Sequence, residues 1–237
     1  MSLTSLITGG TRGIGQALAL RLLARGHRVA ITGTSPSSVA RAEQELAEQS
    51  GAPGQVLGLA CDVRDRAAVE LAVRTVVARF DGLDVLVNNA GVGVGQPIAD
   101  LPSEEWDRII GTNLTGVYHC CHAAIPHLIA RGGGWIVNIS SLASKNPFVG
   151  GAAYCASKAG LNAFSEALMQ ELRHSNIRVS YVLPGSVATG FSGRTSETGA
   201  EWKLSPDDVA QVIEDLLDHP PRSLPSRVEI RPSRPQK

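Results

Sequence analysis

The chain reads as an α/β protein: a doubly wound, Rossmann-like domain in which a seven-stranded parallel sheet carries helices on both faces. Two observations predict this. Short apolar runs alternate with longer helical patterns from one end to the other, the arrangement that builds parallel sheets through right-handed crossovers. The runs also end in small, polar, often glycine-bearing turns, as strands do where an open α/β sheet binds its ligands.

Length and composition bound the rest. With 237 residues, 43% of them hydrophobic, and 25 glycines, the chain suits one large domain over 1–237 better than two small ones. A formal net charge of zero leaves no basic field for nucleic acid or an anionic membrane surface. The first apolar run is too short for a secretory signal, and no later segment is long enough to span a bilayer, so a soluble, cytoplasmic protein is expected. Cys61, Cys120, Cys121 and Cys155 show no paired spacing and read as reduced. His119, Cys120, Cys121 and His122 fall in a helical pattern, where four successive side chains fan around the axis, so packing is expected and no metal site.

Taken in order, residues 3–7 form a strand, Thr8-Gly9-Gly10-Thr11-Arg12-Gly13-Ile14-Gly15 a glycine turn, and the following residues to Arg25 a helix stopped by Gly26. Glycines let the backbone approach a pyrophosphate, which the free N–H groups of the helix start attract. The Gly-x-x-x-Gly-x-Gly spacing differs from the Gly-x-Gly-x-x-Gly fingerprint. A second strand, residues 28–32, ends at Gly33-Thr34-Ser35, where an NAD site commonly has an acid. That missing acid favours NADP over NAD. Arg12 has two readings, a cation for the extra phosphate or a solvated surface arginine.

Residues 56–60 are a third strand and 66–80 a helix; Asp62 between them either accepts from an adenine amino group or caps the turn. Residues 85–87 lead into Asn88-Asn89-Ala90-Gly91, which fits cofactor passage and strand anchoring alike. Ser103 starts a helical pattern that runs to about Ala130 and is interrupted at Asn113-Leu114-Thr115-Gly116. Asn113 there marks either a local distortion or simple tolerance. Residues 177–183 and 227–230 are further strands, Ser205 and Pro206 open a late helix, residues 190–204 read as a mobile loop over the site, and 232–237 as a frayed tail.

The densest chemistry lies at Ser140-Ser141 and Tyr154-Cys155-Ala156-Ser157-Lys158. Residues 135–139 form a buried strand that delivers Ser141 at its C-terminal end. Four residues apart on a helix, Tyr154 and Lys158 share a face, so the ammonium is expected to pull the phenol below its usual pKa of about 10 and make it a general acid/base.

In this order, the glycine turn, Asp62-Val63, Asn88 to Gly91, Asn113, Ser141, Tyr154/Lys158 and Pro184-Gly185 through Thr189 resemble the short-chain dehydrogenase/reductase family over nearly the whole chain. The resemblance implies a tetrad of Asn113, Ser141, Tyr154 and Lys158, with Ser141 preferred to Ser140 by its separation from the tyrosine. It implies cofactor contacts from Gly9, Thr11, Arg12, Gly13, Ile14, Gly15, Thr34, Asp62, Val63, Asn89, Ala90, Gly91, Tyr154, Lys158, Pro184, Gly185, Val187 and Thr189. Among these, Asp62 and Val63 would meet adenine, Lys158 the nicotinamide ribose and Thr189 the carboxamide. Asn113 would keep a water in a proton relay. The residues look most like those of 3-oxoacyl-acyl-carrier-protein reductases and related carbonyl reductases, although residues 224–232 lack the glycine-rich ending usual there. A homodimer or homotetramer built on the helices of residues 113–130 and 153–174 is implied as well. The competing function class is a dinucleotide-binding sensor or scaffold without turnover; such a protein would be free to lose the serine, tyrosine or lysine, and all three are present.

Overall fold

The computed structural model describes residues 2–93, 95–190 and 201–235. Among them, seven strands form one parallel sheet: β1 (Thr4–Ile7), β2 (Arg28–Gly33), β3 (Val56–Ala60), β4 (Val85–Asn88), β5 (Gly134–Ile139), β6 (Ile177–Pro184) and β7 (Arg227–Ile230). Their order is β3-β2-β1-β4-β5-β6-β7. Between them run α1 (Gly13–Ala24), α2 (Pro36–Ser50), α3 (Arg66–Phe80), α4 (Ser103–Ile110), α5 (Gly116–Ala130), α6 (Ala152–Leu172) and α7 (Pro206–Leu217).

The near-continuous apolar runs of the central strands follow from burial on both faces. Ala30, Leu6, Leu86, Ile136 and Val179 stand in register across five strands and pack with α3, α5 and α6. One residue further along, Ile31, Ile7, Val87 and Val137 form a row on the opposite face with α1, α2 and α7. Side chains alternate faces along a strand, so both rows come from the same runs, and each buried Leu or Ile contributes about 1.5–3 kcal/mol.

The helix starts follow capping chemistry. Ser35 caps α2, Asp65 caps α3, and Ser205 makes a reciprocal capping box with Asp208 at α7, with Pro206 in its first turn. The pattern expected to run from Ser103 to Ala130 is broken between α4 and α5 by a π-helical turn, Gly111–Thr115, so Asn113 marks a distortion. Cys120 and Cys121 are in the core, and His119 Nδ1 lies 3.0 Å from the Val63 carbonyl.

Of the segment expected to be a mobile loop, residues 191–200 lie outside the described residues. Its far end is anchored, with Leu204 buried and its N–H donating to the Ser186 carbonyl at 2.9 Å. Of the tail, 236–237 lie outside the description, and Pro232 sits close over Gly185. No helix among the described residues is long and apolar enough to cross a membrane.

Candidate active site

The strand order reverses between β1 and β4, and the C-terminal ends of these strands and of β5 and β6 form the edge where such sheets bind ligands. The glycine turn leaves β1 at this edge. Gly13 has φ 59°, a left-handed conformation that favours glycine, and a Cβ there would lie 3.3 Å from Thr189 Cγ2. A Cβ on Gly15 would lie 2.6 Å from Asn89 Nδ2 and 2.7 Å from the Gly9 carbonyl oxygen. The turn is held from β4. Asn89 Nδ2 donates to the carbonyls of Thr8 and Gly9, both at 2.9 Å, while Thr8 Oγ1 accepts from the N–H groups of Asn89 and Ala90, both at 3.0 Å. The Asn89 amide therefore anchors the strand.

No side chain caps α1, and its first turn holds no acid. A backbone that comes close through glycines, with helix-start N–H groups left open, fits the pyrophosphate of a dinucleotide. Thr189 lies close to Gly13, in the segment that continues from the end of β6 through Pro184, Gly185 and Val187. Arg12 is exposed and spends one donor on the Gly190 carbonyl at 3.1 Å. Thr34 is exposed beyond β2.

Asp62 is the least available of the residues expected to meet the cofactor. Its carboxylate takes Arg64 Nε at 3.0 and 3.1 Å and Arg64 Nη2 at 2.6 Å, and it also caps the Arg64 N–H at 3.0 Å. Arg64 holds that carboxyl below the usual range. The turn-capping reading of Asp62 is met by the bond to the Arg64 N–H.

On the other side of the edge, the chain leaves β5 through Ser140 and turns at Ser141, whose Oγ accepts from the Ala143 N–H at 3.1 Å. That bond takes a lone pair and leaves the hydroxyl proton for the site. Ser141 is hydrogen-bonded to Tyr154, which rises from the first turn of α6. One turn on, the buried Lys158 points its Nζ at the Ile139 carbonyl, 2.7 Å away, and stands 5.9 Å from the centre of the Tyr154 ring.

This corrects the expectation for the phenol. Burial raises the Tyr154 pKa above its ordinary value, and the Ser141 hydrogen bond is the influence that opposes it. Lys158 is itself pushed down to about 8 by burial. Removing both groups from water favours their neutral forms, and the ammonium is committed to a strand carbonyl rather than to the phenol.

Asn113 is fully buried in the π turn. Its Oδ1 accepts from the Val92 N–H at 2.8 Å, and its Nδ2 donates to the Val92 carbonyl at 2.9 Å and to Ser157 Oγ at 3.0 Å. Both amide donors are therefore used to clamp the segment after Gly91 and to tie it to α6. Ser157 completes the link by donating to the Tyr154 carbonyl at 2.7 Å. Asn113, Ser141, Tyr154 and Lys158 thus belong to one connected site. Thr8, Ser157 and Asn162 were not anticipated. Asn162 was open to detection, because it continues the i, i+4 series of Tyr154 and Lys158.

Comparison with known proteins agrees with this geometry. The family model for short chain dehydrogenase matches residues 4–200, and the chain belongs to the short-chain dehydrogenase/reductase family of oxidoreductases. An NADP-dependent 3-hydroxy acid dehydrogenase of Salmonella typhi is 32% identical over 96% of this chain and 94% of its own. A 3-oxoacyl-[acyl-carrier-protein] reductase of Staphylococcus aureus is also 32% identical, over 91% of this chain and 87% of its own. A metagenomic short-chain oxidoreductase solved in complex with NADP superposes with a TM-score of 0.84 at 37% identity, covering 98% of both chains.

Proposed function

We propose that the chain is an NADP(H)-dependent carbonyl reductase acting on a 3-oxoacyl thioester or a similar ketone, or on the corresponding secondary alcohol. The observation that carries this reading is the convergence of Ser141, Tyr154 and Lys158 at the same edge of the sheet as the open start of α1. The nicotinamide, when bound, supplies the hydride for the carbonyl carbon. Ser141 and Tyr154 hold the carbonyl oxygen, and Tyr154 gives its proton to the developing alkoxide. The raised phenol pKa keeps that proton in place at neutral pH. Lys158 would hold the nicotinamide ribose, and Asn113 keeps Val92 and α6 in their places. The decisive experiment is NADPH oxidation followed spectrophotometrically over β-keto thioesters, α-diketones, quinones and steroid ketones. Turnover of none of these ketones would overturn the reading.

The preference for NADP rests on the missing acid at the end of β2 and on Arg12. A charge-assisted hydrogen bond contributes about 1.5–3 kcal/mol, so Arg12→Ala is expected to weaken NADP binding about ten- to a hundredfold and NAD binding little, measured by isothermal titration. The complementary variant places an acid at Thr34. A side chain at Gly33 would come within 2.7 Å of Thr11 and 3.1 Å of Val39, confusing charge with packing. Tighter binding of NAD by the wild type, or equal weakening of both cofactors by Arg12→Ala, would refute the assignment.

The same reading includes a homodimer or homotetramer formed through the outer faces of α5 and α6, supported by Tyr118 and Ile129, large apolar side chains exposed on α5. Sedimentation should give a dimer or tetramer at micromolar concentration; a monomer there would count against it. Four free, buried cysteines agree with a reducing, cytoplasmic setting.

A further inference from the structure

The loop that carries Ser141 and the helix that carries Tyr154 are separate elements, so the distance between the two hydroxyls depends on what ties one element to the other. Asn162 makes two of these ties, beside that of Lys158 Nζ to the Ile139 carbonyl. It lies one turn beyond Lys158 and two beyond Tyr154 on α6, on the face turned to the serine loop. Its Oδ1 accepts from Ser140 Oγ at 2.5 Å, and its Nδ2 donates to Ser144 Oγ at 2.8 Å. Ser144 Oγ in turn donates to the Ser141 carbonyl at 2.6 Å. On the other flank, Ser140 Oγ also reaches the Lys158 carbonyl at 3.3 Å. Ser141 is thus gripped from both sides, whereas its own bond to the Ala143 N–H lies within the loop and would move with it.

We infer that Asn162 is a positioning residue, which holds the Ser141 hydroxyl against the Tyr154 phenol by fastening both flanks of Ser141 to the helix that carries Tyr154. The inference rests on the reading that Ser141 and Tyr154 hold the substrate oxygen. Direction matters as well as contact. The Ser144 hydroxyl has one proton, and it reaches the Ser141 carbonyl because Asn162 offers Ser144 an N–H. Asn162→Asp keeps the acceptor for Ser140 and the size of the side chain, but its second oxygen would draw the Ser144 proton away from Ser141. It should therefore be as harmful as Asn162→Ala, which a simple space-filling role does not require.

The test compares Asn162→Ala, Asn162→Asp, Ser144→Ala and Tyr154→Phe with wild type, using acetoacetyl-coenzyme A as the ketone. A misplacement of about 1 Å costs on the order of a hundredfold, so both Asn162 variants should lose about ten- to a hundredfold in the single-turnover rate. Their affinity for NADPH should stay within about twofold of wild type, since the lost interaction belongs to the transition state. Adding Ser144→Ala to Asn162→Ala should cost little more, because the two residues act through one chain of hydrogen bonds. Ultraviolet titration of tyrosine gives a reading that needs no substrate. The component that Tyr154→Phe removes should move to higher pH in Asn162→Ala, because the phenolate loses the Ser141 hydrogen bond.

If Tyr154→Phe is inactive while the Asn162 variants keep both rate and titration, the inference fails and the site reading stands. If Tyr154→Phe remains active, the site reading fails and the titration alone judges the brace. Parallel loss of rate and NADPH affinity would reduce Asn162 to a packing residue. Should Asn162→Ala not fold, Ser144→Ala carries the same comparison through the outer link.

Discussion

Tyr154→Phe is expected to lower turnover by roughly a hundred- to ten-thousandfold, the range over which a positioned general acid acts, while NADPH binding stays nearly intact. The phenylalanine ring keeps the shape of the first turn of α6 and removes only the hydroxyl that Ser141 contacts. The alkoxide left by hydride transfer would then have to take its proton from water, and Ser141 would stabilise the developing charge alone. Single-turnover rate and cofactor affinity, measured on the same variant, separate this effect from disturbed binding. Near-normal turnover would end the assignment of Tyr154.

The second large effect belongs to Lys158 and is read as stability against pH. The buried ammonium has a pKa of about 8 in the folded chain, against an ordinary value of 10.5. Between these two values the unfolded chain binds more protons than the folded one, so stability rises as pH rises. The penalty for burying the charge is fully present below pH 8 and has gone above 10.5. That shift corresponds to roughly 3 kcal/mol. Urea denaturation of the cofactor-free protein should therefore show wild type gaining about that much over Lys158→Met between these limits. The absolute difference at neutral pH is less informative, because methionine also leaves the Ile139 carbonyl without its donor. Groups distant from Lys158 that titrate in this range are common to both proteins and cancel in the comparison. Parallel pH curves would show that Lys158 is not carried as a buried charge. The same variant should lose both turnover and NADPH affinity if Lys158 meets the ribose.

Much of the site was legible because its parts are local. A strand, a glycine turn and a helix follow one another within residues 4–24, and neighbours in the chain are enough to shape the turn. Tyr154 and Lys158 fall on one face by helical spacing alone. The unfavourable asparagine at position 113 marked a place where either distortion or tolerance was possible, and the π-helical turn decides for distortion. Asn162 was visible by the same periodicity, but its partners Ser140 and Ser144 lie 18 to 22 residues away, and nothing local indicates that they meet.

The sequence by itself determined the α/β class, the alternation of strands and helices, the glycine turn and the group of chemically active side chains, because each follows from short-range periodicity and backbone preference. Tertiary structure alone decided how those side chains are used. The sign of the Tyr154 shift depends on how much water α6 and the serine loop exclude, which spacing cannot report. The direction of Lys158 depends on the Ile139 carbonyl being 2.7 Å away at the end of β5. Asn113 spends its amide on Val92, and Asp62 its carboxylate on Arg64. Hydrogen bonds are short-ranged and directional, so which of several capable partners a polar group takes is settled only when packing brings one of them within reach.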